Sequence, residues 1–161
     1  MNTVLFLCTG NYYRSRFAEE LFNFRASADC PEWRAISRGV AVDLGHKNVG
    51  PMAQATARAL RARGIDVELE RARKPLQLEV ADLDAASHVV ALKRAEHRPL
   101  LFERFPAWSA ERASRVEFWR VHDVDCMAPE EALPIIEREV MSLMRRLAEG
   151  CGKFGELELR A

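Results

Sequence analysis

Apolar residues occur along this chain in short runs that alternate with longer amphipathic segments. Runs rich in apolar and β-favouring residues, at positions 3–8, 33–37, 88–92 and 116–121, are typical of buried strands. Apolar positions spaced by three or four residues predict helices from Ser15 and over 50–64, 94–104 and 129–149, and residues 76–86 fit a short helix or turn. Strands that alternate with helices predict an α/β fold, with a parallel sheet covered on both faces.

The length of 161 residues suits a single domain spanning 1–161, because neither an internal repeat nor a long linker divides the chain. Its last stretch, residues 150–161, contains glycines and then alternates apolar and charged residues over 154–159. The alternation leaves three interpretations of this tail open: an extra edge strand, a partner-binding segment or a flexible end.

Charge and hydropathy narrow the function classes. The chain carries 24 basic and 24 acidic side chains, and nucleic-acid binding needs an excess of basic ones, so we expect no nucleic-acid partner. No apolar run approaches the roughly 18 residues that a membrane span requires, so no membrane partner is expected. The N-terminus has an apolar run without a preceding basic region or a cleavage site, so we expect a cytoplasmic protein.

The cysteines at positions 8, 30, 126 and 151 contain no C-x-x-C pair and no zinc-type spacing with histidine. The sequence therefore predicts no metal and no cofactor. In a reducing compartment these residues are thiols, and one of them can be a nucleophile.

Cys8 is the best candidate because of its place in the chain. It ends the first predicted strand, and Arg14 stands six positions later, at the turn into the first predicted helix. Open α/β sheets place ligands at such turns, where loop N–H groups and a helix N-terminus attract anions. Gly10 supplies backbone freedom, and Asn11 tolerates a positive φ angle.

These residues suit phosphoryl chemistry. The oriented N–H groups and the Arg14 charge would stabilise a Cys8 thiolate, which is a nucleophile at neutral pH. Arg14 can grip two phosphoryl oxygens, and Ser15 can donate its hydroxyl to the sulfur. The spacing alone is also compatible with a structural thiol at Cys8 and a surface arginine at Arg14.

The segment CTGNYYRS at positions 8–15 resembles the C-x-G-N-x-x-R-S phosphate loop of low-molecular-weight protein tyrosine phosphatases. The likeness extends to residues 36–40, 50–64, 81–92 and 121–125. It implies a flavodoxin-like, three-layer fold with a four-stranded parallel sheet. It also implies that Cys8 forms a phosphocysteine intermediate in the hydrolysis of phosphate monoesters. The residues implied to bind phosphate are Thr9, Gly10, Asn11, Tyr12, Tyr13 and Arg14.

The same resemblance implies an aspartate that acts as general acid and base. Register favours Asp123, but Asp125 stays an alternative because Val124 stands where the family has the proline that would fix the alignment. His122 is interpreted as a neighbour that could tune the acid.

The chain also departs from the family pattern. Tyr13 replaces the second loop cysteine, Arg16 replaces a proline, and Asp125 and Cys126 replace aromatic residues after the acid. Tyr12 and Tyr13 could stack on an aryl substrate or narrow the entrance. A reversible bond between Cys126 and Cys8 is a further hypothesis.

Two alternatives to the phosphatase remain: an arsenate reductase of the same fold, and a non-catalytic module that binds phosphorylated ligands. The substrate itself stays open between phosphotyrosine protein, phosphoarginine and a small phosphate ester, and no oligomeric state is predicted. Other polar features are expected to be structural: His46, His88 and His97 as surface or packing residues, and Glu96 to Arg98 as a solvated patch.

Overall fold

The computed structural model describes residues 1–158, with side chains over residues 1–150. Within that range the strands are β1 (Asn2–Cys8), β2 (Trp33–Gly39), β3 (His88–Ala91) and β4 (Val116–Phe118). The α-helices are α1 (Arg14–Asp29), α2 (Gln54–Arg61), α3 (Val80–Ala85), α4 (Arg94–Arg104), α5 (Pro106–Arg112) and α6 (Pro129–Glu158). Short 3-10 turns occur at Val42–Gly45 and Ala113–Arg115.

The strands form one parallel sheet in the order β2-β1-β3-β4, which confirms the predicted fold class. Leu5 of β1 pairs with Ile36 of β2 on one side and with Val89 of β3 on the other. After β1 the chain first forms β2 on one side of β1 and later forms β3 on the other side. The strand order therefore reverses at β1. In open α/β sheets this switch point is where a crevice forms at the carboxyl ends of the strands.

Strand β1 divides the core into two layers because its side chains alternate between the faces of the sheet. Val4 and Phe6 face a cluster built with α1, α2 and α6, whereas Leu5 and Leu7 face a cluster built with α3, α4 and α5. Burial on both faces explains why this strand is a continuous apolar run rather than an alternating one.

The fourth strand is shorter than the predicted 116–121. It ends at Phe118 because the following residues cross toward the segment after β3, where Val121 N–H donates to the Leu92 carbonyl and Arg94 N–H donates to that of Trp119. This crossing creates an isolated antiparallel bridge between Lys93 and Arg120.

Two further boundaries differ from the expectation. Pro106 begins α5 as well as ending α4, because a first helical position needs no N–H donor. The edge-strand interpretation of 154–159 is wrong for 154–158, since α6 continues to Glu158 and extending an existing helix costs little. Residues 159–161 lie outside the described residues.

No helix in the described part of the chain combines the length and the apolar character needed to cross a bilayer.

Candidate active site

The loop between β1 and α1 is held by its carbonyl groups. Those of Cys8, Thr9 and Tyr12 accept hydrogen bonds from Val40, Ala41 and Ala53, at 2.9–3.0 Å. Within residues 1–158, by contrast, the backbone N–H groups of 9–13 have no protein acceptor. The loop therefore presents a set of open donors at the start of α1, which is an arrangement that binds anions.

Asn11 fixes the shape of this loop. Its φ of 51° lies in the left-handed region, and its side chain is fully buried. Asn11 Nδ2 donates to Ser15 Oγ at 3.0 Å and to Ser37 Oγ at 2.8 Å. Asn11 Oδ1 accepts from Arg73 Nη1 and from the Leu76 N–H, both at 3.0 Å. All four hydrogen-bonding positions of the amide are thus used, so the loop is tied to β2 and to the segment before α3.

A second layer of polar contacts holds Asn11 in turn. Glu19, on α1, accepts from Arg73 Nη2 at 2.7 Å and from the Ser37 hydroxyl. Arg73 Nη2 also donates to Ser37 Oγ at 3.0 Å. Glu19 and Arg73 carry opposite charges and are hydrogen-bonded to each other. This pair can therefore hold the loop rigidly without leaving an unpaired buried charge.

Cys8 lies at the floor of the loop with only 3% of its surface exposed. Its Sγ atom is 2.9 Å from Ser15 Oγ. Because Ser15 Oγ already accepts from Asn11, its own proton is available to the sulfur. The Cys8 sulfur thus has a hydroxyl that can donate to it and lies at the floor of a loop with open N–H groups.

Arg14 is buried, with 2% of its surface exposed, which excludes the interpretation of it as a surface residue. Its Nη1 donates to the Val121 carbonyl and to Glu96 Oε2, both at 3.1 Å, and its Nη2 donates to Glu96 Oε1 at 2.8 Å. Burial opposes the charged guanidinium, but the Glu96 hydrogen bond and the nearby negative charges raise the pKa of Arg14. The guanidinium therefore stays charged and is held in one orientation.

Glu96 corrects the expectation of a solvated patch. It lies on α4 and receives the bidentate contact of Arg14 together with the Thr9 hydroxyl. Burial alone would raise the pKa of Glu96, but the nearby His97 ring, hydrogen bonds from Arg14 and Thr9 and the Arg14 charge hold that pKa well below its usual range. Glu96 thus joins the carboxyl end of β3 to the loop after β1.

His97 is likewise no surface residue, because none of its area is exposed. Its Nδ1 accepts the Lys93 N–H at 2.9 Å, which leaves the proton on Nε2, 3.4 Å from Glu96 Oε1. Burial lowers the pKa of His97, so the ring is neutral near pH 7. His97 Nε2 and Arg14 Nη2 thus both approach Glu96 Oε1.

The loop before α6 contains both candidate acids. Asp123 Oδ2 is 3.3 Å from Arg14 Nη2, and its side chain is 40% exposed at the mouth of the site. Its Oδ1 accepts the Val124 N–H at 2.9 Å, which orients the carboxyl group. Asp125 also lines the site, but among the described residues it has neither an ion-pair partner nor a hydrogen bond. The geometry therefore favours Asp123.

These elements surround a cleft of about 330 Å³, which we call the active-site cleft. It is lined by Cys8, Arg14 and Asp123, and by Tyr12, Tyr13 and Leu44 on its walls. Tyr12 donates its hydroxyl to the Val49 carbonyl at 2.7 Å, which fixes one wall. Burial and the charge of Asp123 raise the pKa of Tyr13 to about 12, so this phenol is neutral. The cleft therefore combines charged groups with aromatic and apolar side chains.

The departures from the family pattern have structural consequences. Arg16, where a proline was expected, is buried and donates to the Pro51 carbonyl at 3.1 Å and to that of Arg73 at 2.9 Å. Tyr13 contributes to both the core and the cleft wall. Cys126 is exposed, and its bond with Cys8 stays a prediction. No group of three or more potential metal-ligating side chains occurs among the described residues.

The sequence predicted the functional residues on the loop between β1 and α1. It did not predict the residues that hold this loop and Arg14 in position. The structure brings Cys8, Ser15, Arg14 and Asp123 together as expected from their positions. Glu96, Arg73 and Glu19 were missed because they come from other elements and match no spacing rule. The one available signal was a carboxylate shortly after the third strand, at the same sheet edge as Cys8.

Comparisons with known proteins agree with this geometry. Residues 3–149 match the sequence profile of the family described as low molecular weight phosphotyrosine protein phosphatase. No curated protein sequence matches the chain.

Similar solved structures cover almost the whole chain. They include YfkJ from Bacillus subtilis (23% identity, TM-score 0.77, covering 93% of this chain and 96% of that one). A low molecular weight protein tyrosine phosphatase from T. tengcongensis is 28% identical, with a TM-score of 0.69 and coverage of 93% and 99%. The YwlE arginine phosphatase from Geobacillus stearothermophilus is 25% identical, with a TM-score of 0.67 and coverage of 98% and 97%. Because the family profile spans nearly the whole chain, the protein belongs to the low molecular weight phosphotyrosine protein phosphatase family and is a cysteine-dependent phosphatase.

Proposed function

We propose that the protein hydrolyses phosphate monoesters through a phosphocysteine at Cys8, with Arg14 binding the phosphoryl group and Asp123 acting as acid and then as base. The observation that carries the proposal is the position of the Cys8 sulfur, 2.9 Å from the Ser15 hydroxyl oxygen and at the floor of a loop whose N–H groups at residues 9–13 are open. A nucleophile is thus placed where three phosphoryl oxygens can be bound at once.

In the first step the Cys8 thiolate attacks phosphorus in line with the bond to the leaving oxygen. The P–S bond forms as the P–O bond breaks, and Asp123 donates a proton to the departing oxygen. Negative charge on the equatorial oxygens is stabilised by the loop N–H groups and by Arg14, which Glu96 holds in position. The exposure of Asp123 at the mouth of the cleft suits this role, since the leaving group points outward.

In the second step Asp123, now ionised, removes a proton from water as the water attacks phosphorus. The P–S bond breaks, orthophosphate forms, and the Cys8 thiolate is regenerated with Asp123 protonated again. The Ser15 hydroxyl stabilises the departing sulfur as it regains negative charge.

The substrate is a phosphorylated compound, and we propose an aryl phosphate on a protein. Tyr12 and Tyr13 in the lining of the cleft support this proposal, because aromatic side chains can stack on the ring of an aryl substrate. A phosphoarginine residue is the second candidate, because one similar structure is an arginine phosphatase. We also propose a reducing, cytoplasmic site of action, because the Cys8 thiol must stay unoxidised.

The test is hydrolysis of a small aryl phosphate by the wild type, Cys8→Ser, Asp123→Asn and Asp125→Asn. We expect no turnover by Cys8→Ser and a loss of about 10²–10⁴-fold in kcat for Asp123→Asn, the usual size of a general-acid contribution. Asp125→Asn is the matched control and should remain within about threefold of wild type, because Asp125 lines the cleft but forms no ion pair with Arg14 among the described residues. Mass spectrometry of acid-quenched enzyme should find the phosphoryl group on the peptide that contains Cys8.

Three results would contradict the proposal in different ways. Full activity of Cys8→Ser would exclude the phosphocysteine. Orthophosphate binding without turnover by the wild type would identify a non-catalytic binding module. A larger loss for Asp125→Asn than for Asp123→Asn would move the acid to Asp125. Parallel assays with phosphotyrosine and phosphoarginine peptides decide between the two substrate chemistries.

A further inference from the structure

A second cavity, of about 500 Å³, lies beside the active-site cleft and is lined by basic side chains. Lys93, Arg94, Arg98, Arg120 and His122 all border it, and we call it the basic cleft. Lys93 is half-buried, whereas the other four are exposed to solvent. No step of the proposed reaction uses these residues.

The fold forces these positive charges together. Lys93 and Arg120 face each other across the antiparallel bridge that follows β3 and β4. Like charges directly opposite each other in a strand pair are destabilising. Arg94 and Arg98 follow on the first turns of α4, where cations also oppose the helix dipole. Their arrangement costs free energy in the free protein, so an anion bound there would relieve it.

No carboxylate within the described residues forms an ion pair with the lysine or the three arginines of the basic cleft. Several arginines elsewhere in the protein do have such partners, as Arg38 has Asp82, Arg63 has Glu137 and Arg104 has Asp43. Arg94 and Arg98 instead lie over the rings of Phe118 and Phe102, at 5.4 and 4.7 Å. These ring contacts hold the guanidinium groups in place while leaving their N–H donors available.

Two consecutive residues of the loop before α6 line the basic cleft and the active-site cleft, respectively. His122, on the border of the basic cleft, precedes the acid Asp123, and the carbonyl of Val121 accepts from Arg14. The Cα atoms of His122 and Asp123 are about 3.8 Å apart, so the two clefts border each other along this loop. A peptide with its phosphorylated side chain at Cys8 can therefore place a neighbouring side chain in the basic cleft.

We propose that the basic cleft binds acidic side chains that flank the phosphorylated residue of a protein substrate. This inference rests on the proposed function and deepens it, since it assigns the protein a preference for acidic phosphopeptides. Carboxylates match the unpaired cations in charge, and the small cleft accommodates a few side chains. A long polyanion is disfavoured, because the chain as a whole carries no net charge to extend the basic surface.

The experiment compares two phosphotyrosine peptides that differ only in having glutamate or glutamine on both sides of the phosphorylated residue. Wild type, Arg98→Gln/Arg120→Gln and a control, Arg25→Gln/Arg145→Gln, are assayed for kcat/KM on both peptides and on a small aryl phosphate. The control removes the same charge from exposed arginines on α1 and α6. Fluorescence anisotropy with labelled peptides measures binding independently of turnover.

We expect the wild type to prefer the acidic peptide by about three- to tenfold, mainly through KM, as two exposed ion pairs allow. Arg98→Gln/Arg120→Gln should lose this preference and keep its activity on the aryl phosphate, while the control behaves as wild type. The wild-type preference should also shrink as salt rises, because surface pairs are screened over about 8 Å at physiological ionic strength.

Several results would overturn the inference. If the wild type has equal kcat/KM for the two peptides, the basic cleft has no preference for acidic side chains. The proposed function would still stand in that case, provided that the aryl phosphate is hydrolysed. An equal loss in the control would assign the preference to overall charge. Tighter binding of a short single-stranded oligonucleotide than of the acidic peptide would assign the cleft to nucleic acid. Absence of aryl phosphate hydrolysis would instead refute the proposed function. The anisotropy values would still show whether the basic cleft binds the acidic peptide more tightly than the neutral one.

Discussion

Glu96→Gln is the sharpest test of how the site is held together. The substitution keeps the size of the side chain and one acceptor oxygen but removes the negative charge that faces Arg14. In the native protein the two terminal guanidinium nitrogens of Arg14, Nη2 and Nη1, contact this carboxylate at 2.8 and 3.1 Å, and Arg14 is almost fully buried. The variant therefore leaves a buried positive charge without its main partner.

The expected cost depends on the geometry of this pair. Breaking a fully buried ion pair costs roughly 3–5 kcal/mol. Glu96 is 27% exposed, and Arg14 keeps the Val121 carbonyl and the nearby Asp123, so we expect about 2 kcal/mol at pH 7. For a chain of this length that corresponds to a fall in Tm of roughly 4–8 °C.

Catalysis should suffer as well, because the guanidinium loses the contact that orients it toward the phosphoryl group. Small misplacements of such a group cost up to about 10²-fold, so kcat/KM on an aryl phosphate should fall by about 10- to 100-fold. The matched control is Glu103→Gln, the same substitution on an exposed side chain of the same helix. It should leave both Tm and kcat/KM unchanged.

The stability difference must also depend on pH. The pKa of Glu96 is lower in the folded protein than in the unfolded chain, so its stabilisation is fully present above about pH 4.3 and declines as the pH falls below that value. The gap between wild type and Glu96→Gln should therefore narrow on acidification. Thermal unfolding of both proteins, followed by circular dichroism at a series of pH values from 7 downwards, measures this gap. A variant with wild-type Tm and wild-type kcat/KM would refute the role assigned to Glu96.

Other substitutions test the support of the loop and the hydrogen bonds that Glu117 of β4 accepts. Asn11→Ala should lower stability by about 2–4 kcal/mol and abolish aryl phosphate turnover, because it removes all four amide hydrogen bonds; wild-type urea unfolding would contradict this. Gly39→Ala should also cost activity, since its Cβ would lie 2.7 Å from the Thr9 carbonyl oxygen; unchanged orthophosphate affinity by calorimetry would show that the loop tolerates it. Burial would raise the pKa of Glu117, but hydrogen bonds from His88, Arg146 and Trp119 lower it. Glu117→Gln should therefore destabilise the protein above about pH 4.3 and progressively less below it, in the same unfolding assay, without changing kcat/KM.

Features that depend on residues close together in the sequence could be predicted, whereas features that depend on distant segments could not. The strand at 3–8, the loop and the start of α1 follow one another in the sequence, so the approach of Ser15 to Cys8 needs only the local turn. The order of helices and strands was predictable for the same reason, because hydrophobic periodicity is a local property. Strand ends were less predictable: β4 stops at Phe118 because the next residues pair with the segment after β3.

Tertiary structure alone decided what holds the site. Glu96 stands 82 positions from Arg14, and Arg73 stands 62 from Asn11, so no spacing rule connects them. Their contacts exist because parallel strands bring their carboxyl ends to one edge of the sheet, where each following segment can reach the loop after β1. The basic cleft has the same origin, since Lys93 and Arg120 meet only across the bridge beyond β3 and β4.

The sequence by itself thus determined the α/β fold and placed Cys8 and Arg14 at the two ends of one loop, because each of these features depends on neighbours within a few residues. Which carboxylate holds that arginine, which aspartate lies over it and where unpaired cations gather depended on the packing of segments far apart in the chain. A side chain's charge is written in the sequence, but its partner is set by the register and direction of the strands that deliver it.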